Sequence, residues 1–207
     1  MKIIASTYLS SKGAYLNGEK IVQFTDENWL KACYQHLALD YPKFYKMDNL
    51  SKMAVLGVEL LANSGIFSQI DTNDLELLFA NSNASQHTDL KFIDSYTVAK
   101  NPSPSLFVYT LPNILTGELA IKHKWYGENS FYISPNFDAQ LFATKIHQAY
   151  KKGVNYCLCG WIDSKLEANS TLSEESFLFL VALNEENASL HQEIEQLMTQ
   201  YNQKEKE

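Results

Sequence analysis

The sequence predicts an α/β protein whose sheet is covered on both faces by helices. Strand-like and helix-like patterns alternate along most of its length. Two near-continuous apolar runs, "VNYCLCGWID" and "SFLFLVAL", read as strands buried on both sides rather than as the alternation of a half-wet sheet. At 207 residues, 45% of them hydrophobic and 13% aromatic, the chain suits one domain with a sizeable core.

Residues 2 to 8 read as a strand, and Gly13 to Phe24 as a hairpin or extended connection around Asn17-Gly18. "TDENWLKACYQHLA" opens with Thr25 and Asp26 as capping residues and places Trp29, Leu30, Cys33 and Leu37 on one helix face. A stronger helix runs from Asp48 to Asn63, with Leu50, Met53, Leu56, Leu60 and Leu61 apolar and Gly65 as a C-cap. "DLELLFANSN" is a strand entering a polar loop, and Asp89 to Ala99 a helix before the proline-punctuated "KNPSPS". "LFVYTLPNILTGELAIKHKWYG" reads as a short strand, a turn at Pro112, and a helix from Asn113 to Lys122. Next, strand-like Phe131 to Ser134 meets Pro135-Asn136 and a helical pattern with Phe137, Leu141, Ile146 and Tyr150 apolar. The two buried strands follow, separated by a polar loop, "DSKLEANSTLSEE". A domain over residues 1–185 is expected, then a C-terminal helix over 186–207 ending in the fraying tail "QKEKE".

A net charge of −7, with 17 scattered basic residues, argues against nucleic acid as a partner. The apolar runs are too short to span a membrane, and "MKIIAST" lacks a signal-peptide core, so a soluble cytoplasmic protein is expected. Cys33, Cys157 and Cys159 form no disulfide framework, and Cys157-x-Cys159 lacks the second pair a metal site needs. Neither a metal nor a cofactor is expected.

The turn after residue 133 is the place to look for chemistry, since a sharp strand-to-helix turn can expose a nucleophile above a helix N-terminus. Ser134 is the candidate, but a nucleophilic serine needs a histidine and a carboxylate, and only His147 is near in sequence. The ordinary reading is a serine that ends the strand or caps the helix, with Pro135 setting the angle of the first turn. Cys157, Cys159 and Cys33 read as core, and a buried thiol is not readily ionised. His87, beside Asp89, reads as solvated, and His36, His123 and His191 fall on polar helix faces.

Three stretches together resemble the N-terminal half of the β-ketoacyl synthases, the condensing enzymes of fatty acid and polyketide synthesis. "NPSPSLFVYTLPNILTGELAIKHKWYGENSFYI" is similar to the family's Pro-rich approach, strand, Asn-x-x-x-Gly helix start and later glycine, here Asn113, Gly117 and Gly127. "HQAYKKGVNYCLCGWID" is similar to its helix, basic residue and glycine before a buried strand closing on Gly160. "EESFLFLVAL" resembles the strand that follows, and "MDNLSKMAVLGVELLANSG" an early amphipathic helix. The similarity lies in order and spacing over residues 1 to 183.

The resemblance implies half of a thiolase-like fold, a mostly parallel sheet with helices on both faces, dimeric through the sheet. In that family the nucleophile is a cysteine at the turn matching this one, and the matching position is Pro135 or Asn136, neither able to attack a thioester. The family's two catalytic histidines come from a C-terminal half that matches nothing here. A catalytically inactive subunit is therefore implied, similar to the chain-length factors that pair with an active ketosynthase and shape its acyl tunnel. Half-length ketosynthase-like proteins of aryl-polyene and flexirubin-type pigment pathways resemble the chain most.

By the same resemblance Asn113 and Gly117 lie near the acyl channel and the subunit contact. The aromatic cluster Phe131, Tyr132, Phe137 and Phe142 lines the tunnel or fills core and interface. The implied partner is an active β-ketoacyl synthase subunit in a heterodimer, with acyl carrier protein met indirectly and a homodimer open to the chain alone. The strand near 129–134 should pair across the subunit interface, and the face that a second half normally covers should be left apolar. The alternatives are an acyltransferase or thioester hydrolase using Ser134, and a scaffold that binds acyl carrier protein. The acidic charge argues against the last, since carrier proteins are themselves acidic.

Overall fold

The computed structural model describes residues 1–25, 28–167 and 171–205. Its strands are β1 (Lys2–Ser10), β2 (Gly13–Leu16), β3 (Glu19–Gln23), β4 (Leu75–Asn81), β5 (Asn129–Ile133), β6 (Tyr156–Leu166) and β7 (Leu172–Ala182). They form one seven-stranded sheet in the order β3-β2-β1-β7-β6-β4-β5. The helices are α1 (Trp29–His36), α2 (Asn49–Ala62), α3 (Gln86–Thr97), α4 (Pro104–Val108), α5 (Ile114–His123), α6 (Ala139–Lys151) and α7 (Leu190–Lys204).

The α/β expectation holds, but the sheet is mixed rather than mostly parallel. β4 runs parallel to β5 and β6, while β1–β2, β2–β3, β1–β7 and β6–β7 are antiparallel. Continuous apolar runs report burial on both faces, and burial says nothing about strand direction. The polar stretch after Asp163, expected as a loop, instead extends both strands of a long hairpin, whose ladder reaches Leu166 opposite Leu172. "LFVYT" is not a strand, because α4 begins at Pro104 with Ser103 as its cap. Asn28 caps α1 by accepting from Lys31 N–H, so Thr25 is not the cap and Asp26 lies outside the described residues.

β4 is followed by α5 on one face and, after β5, by α6 on the other. β5 and β6 flank β4, so reversing direction across it with right-handed crossovers places the two helices on opposite faces. Alternate residues of β6 then serve two cores. Leu158 and Ile162 pack under α1, α2 and α5, while Cys157, Cys159 and Trp161 pack under α6 and α7. α2 is buried almost all round, with Met53, Val55, Leu56 and Leu61 fully inaccessible. It lies so close to the sheet that a Cβ at Gly57 would sit 2.6 Å from Leu178 Cδ1. A Cβ at Gly160, on β6, would meet Leu178 Cδ2 at 2.6 Å and also strike Phe79. Leu178 thus fills the space left by two glycines. Gly160→Ala is expected to destabilise the fold by about 1–3 kcal/mol, read as a lower denaturation midpoint at unchanged slope.

The C-terminal helix is part of the second core. Leu190, Ile194, Met198 and Tyr201 are buried against Tyr8, Tyr15, Phe177 and Phe179. Helix α7 continues to Lys204, whose ammonium donates to the Gly18 carbonyl, and Ser10 Oγ donates to Glu205 Oε1 at 2.6 Å. Residues 206 and 207 lie outside the described ones. The outward positions of α6 and α7 are polar, among them Gln140, Thr144, Gln148, Gln192, Glu195 and Thr199. Both sheet faces are therefore covered, and the apolar face expected from a missing half is not present. Exposed apolar side chains gather elsewhere.

Candidate functional site

β5 is the edge of the sheet beyond β4, and its outer side meets no strand. Its pairing with β4 is fixed by Leu77 N–H donating to Glu128 O at 2.9 Å and by Ser134 N–H donating to Asn81 O at 2.9 Å. In a parallel ladder the inward-bonding residues alternate. Residues 128, 130, 132 and 134 thus bond towards β4, while Asn129, Phe131 and Ile133 direct their backbone N–H and C=O outward.

The ladder ends at Ser134, and Pro135 and Asn136 follow as exposed residues. Phe137 then turns back into the core against Phe142, Trp161 and Phe177, with ring centroids 5.7, 5.9 and 5.7 Å away. Asp138 caps α6 by accepting from Leu141 N–H at 3.0 Å. The helix therefore starts at Ala139, so, contrary to the sequence expectation, Pro135 does not set its first turn, and Ser134 ends the strand ladder rather than capping the helix. The proline sits in the turn itself.

The Ser134 hydroxyl makes no hydrogen bond among the described residues. His147, the base considered for it, has Nδ1 2.7 Å from Ala143 O on its own helix. No group of three or more His, Cys, Asp or Glu side chains among the described residues could hold a metal ion. The three thiols are buried, as expected, and burial pushes that of Cys33 up to about 12 and those of Cys157 and Cys159 higher still. His87 is half-buried rather than solvated, and burial followed by the Lys91 ammonium lowers its pKa. Asp89 turns instead to Ser85, 3.2 Å away. His123 is not idle on a polar face: it stacks on Trp125 at 4.4 Å, with Nε2 3.2 Å from Glu59.

The four aromatic candidates do not form one cluster, because the sheet divides them. Phe131 packs on the α2–α5 side, and Tyr132, Phe137 and Phe142 on the α6–α7 side. Phe142 is wholly internal, and the other three are half-buried. Asn113, at the N-cap of α5, lies four residues before Gly117 and in line with Ile121, and a Cβ at Gly117 would have nothing within 4 Å. This stripe faces out of the domain.

Sequence reading missed how apolar this region's surface is. Ten of the thirteen large hydrophobic side chains exposed among the described residues fall between Leu90 and Ile133. Val98, Phe107, Leu111, Ile121 and Ile133 are 76, 62, 58, 68 and 54% exposed. The signal was available in "SLFVYTLPNIL", where apolar residues outnumber the positions a short helix and turn can bury. Monomeric surfaces rarely gather so many.

Comparison by sequence matches no protein-family model and no curated protein. Solved structures do match. One is a "Ketosynthase (ApeO) in Complex with its Chain Length Factor (ApeC) from Xenorhabdus doucetiae", at TM-score 0.58 and 14% identity, over 87% of this chain and 78% of that one. "The ishigamide ketosynthase/chain length factor" matches at TM-score 0.61 and 17% identity, over 90% of this chain and 63% of that one. A third is AntDE:AntF, a type II PKS acyl-carrier protein in complex with its ketosynthase bound to the hexaketide. It matches at TM-score 0.57 and 14% identity, over 87% of this chain and 62% of that one. At such identities the likeness is one of fold, and the fold is the thiolase-like one of ketosynthase and chain-length-factor assemblies. The chain spans less than two thirds of the length of two of these neighbours. No helix among the described residues is long and apolar enough to cross a membrane.

Proposed function

We propose that this chain is a catalytically inactive, chain-length-factor-like subunit. It pairs with an active β-ketoacyl synthase in fatty acid or polyketide biosynthesis and helps to shape the partner's acyl tunnel. The observation that carries this reading is the strand–turn–helix at β5 and α6. Its turn carries Pro135-Asn136, neither of them a nucleophile, and its strand β5 is an unpaired sheet edge beside an apolar surface. An open edge of this kind offers strand pairing, and the apolar side chains supply the burial that a stable interface needs. In such a complex the stripe of Asn113, Gly117 and Ile121 faces the partner, with Gly117 admitting close backbone approach. Acyl carrier protein is met through the ketosynthase, and the chain itself requires no cofactor.

The reading is tested by incubating the purified chain with an acyl thioester and measuring intact mass. No covalent adduct is expected, and the Ser134→Ala variant should give the same spectrum. An acyl adduct that disappears in Ser134→Ala would instead establish an acyltransferase or hydrolase.

A further inference from the structure

The basic residues of this acidic chain are all lysine, since the sequence contains no arginine. Several are neutralised by carboxylates, as in Lys43–Glu118, Lys122–Glu59 and Lys152–Glu128. Three that are not converge on one place. Lys46 ends the 3₁₀ turn Pro42–Lys46, Lys52 lies in the first turn of α2, and Lys91 lies on α3. All three line a cavity of about 100 Å³ with Asp48, Asn49, Thr88 and Tyr109. None makes an ion pair or hydrogen bond among the described residues.

The carboxylates around this cavity are already engaged. Asp48 caps α2, accepting from Ser51 N–H at 3.0 Å and from Thr88 Oγ1 at 3.4 Å, and burial raises its pKa. Glu174 accepts from Asn49 Nδ2 at 2.6 Å, Ser164 Oγ at 3.2 Å and Trp29 Nε1 at 3.2 Å. Lys52 is half-buried, and burial, then the nearby Lys91, push its pKa down, with Asp48 and Glu174 opposing. Like charges brought together in a concavity repel one another more than they would in open water, and an anion between them removes that cost.

We propose that this cavity binds a phosphate group, held by Lys46, Lys52 and Lys91. Three point-charge donors suit a compact phosphate oxyanion, whereas planar recognition of a carboxylate favours the arginine fork that this chain lacks. The dimensions allow a single phosphate, whether inorganic, terminal on a monoester, or internal in a diester. The inference does not rest on the pairing role, since the site involves neither β5 nor the turn after it, although Lys91 and Leu106 border the apolar surface of residues 90–133.

Calorimetric titration of the full chain at constant ionic strength tests the proposal, using inorganic phosphate, dimethyl phosphate and chloride. Saturable phosphate binding is expected, weakened by about tenfold or more in Lys46→Gln/Lys91→Gln and unchanged in the distant Lys20→Gln. Lys46 and Lys91 are exposed, so the double variant should melt as the parent does. Binding of inorganic phosphate well above dimethyl phosphate assigns the site to a free or terminal phosphate, and equal binding assigns it to a diester. Heats no different from those of chloride, or phosphate binding that survives the double substitution, would overturn the proposal.

Discussion

Ile133→Pro is expected to abolish association with a ketosynthase partner while leaving the chain folded. Ile133 is 54% exposed, and by the alternation set by the Glu128 and Ser134 bonds its N–H points away from β4. Within the chain the substitution removes no ladder hydrogen bond, and proline is tolerated on an edge strand. Across an interface the same N–H is one of the few donors that an incoming strand can use, and the ring would obstruct that strand's approach. A melting temperature within a few degrees of the parent's, together with loss of partner binding by at least about tenfold, is the expected pair of results. Ile133→Thr, which keeps the N–H, should retain binding. If Ile133→Pro binds as the parent does, the partner is held by some other surface.

The largest loss of stability is expected from Tyr201→Ala. Tyr201 is 1% exposed and stacks on Tyr8 with ring centroids 5.4 Å apart and planes at 12°. Its hydroxyl accepts from Gly18 N–H at 3.0 Å and shares a hydrogen bond of 2.7 Å with Ser6 Oγ. It ties helix α7 both to the sheet face and to the β2–β3 turn, where Asn17 and Gly18 adopt positive φ of 50° and 82°. Removing the ring leaves a cavity beneath α7, at a cost of about 3–5 kcal/mol, or roughly 10 °C in melting temperature for a chain of this size. Tyr201→Phe keeps the ring and deprives Gly18 and Ser6 of a partner, so about 1 kcal/mol is expected. Equal and small effects of the two changes would mean that α7 is not part of the folded core.

These two sites differ in how far the sequence revealed them. The Asn17-Gly18 hairpin, the helix capped by Asp48 and the two-faced burial of β6 all follow from local rules, and the structure has them. Strand direction did not follow, because β1, β6 and β7 are buried on both faces at the sheet centre whichever way they run. The place of α7 was hidden for a related reason. A helical pattern near a polar tail resembles a frayed end until its apolar positions are seen to meet Tyr8, Tyr15 and Phe177 across the fold. At the candidate site, sequence located the turn but not its details. Asp138, rather than a residue nearer the proline, caps α6, and Phe131 is separated from the other aromatics by the sheet itself. A one-residue difference along a strand moves a side chain to the opposite face, so proximity in sequence is a poor guide to which rings meet.

On the function proposed above, the chain works by pairing with an active ketosynthase rather than by chemistry of its own. Co-expression with a candidate ketosynthase, purification through a tag on that partner, and native mass measurement test it most directly. A complex containing one copy of each chain, lost on substituting Ile133→Pro, is the expected result. A ketosynthase that purifies only with itself, leaving this chain behind in free form, would contradict it.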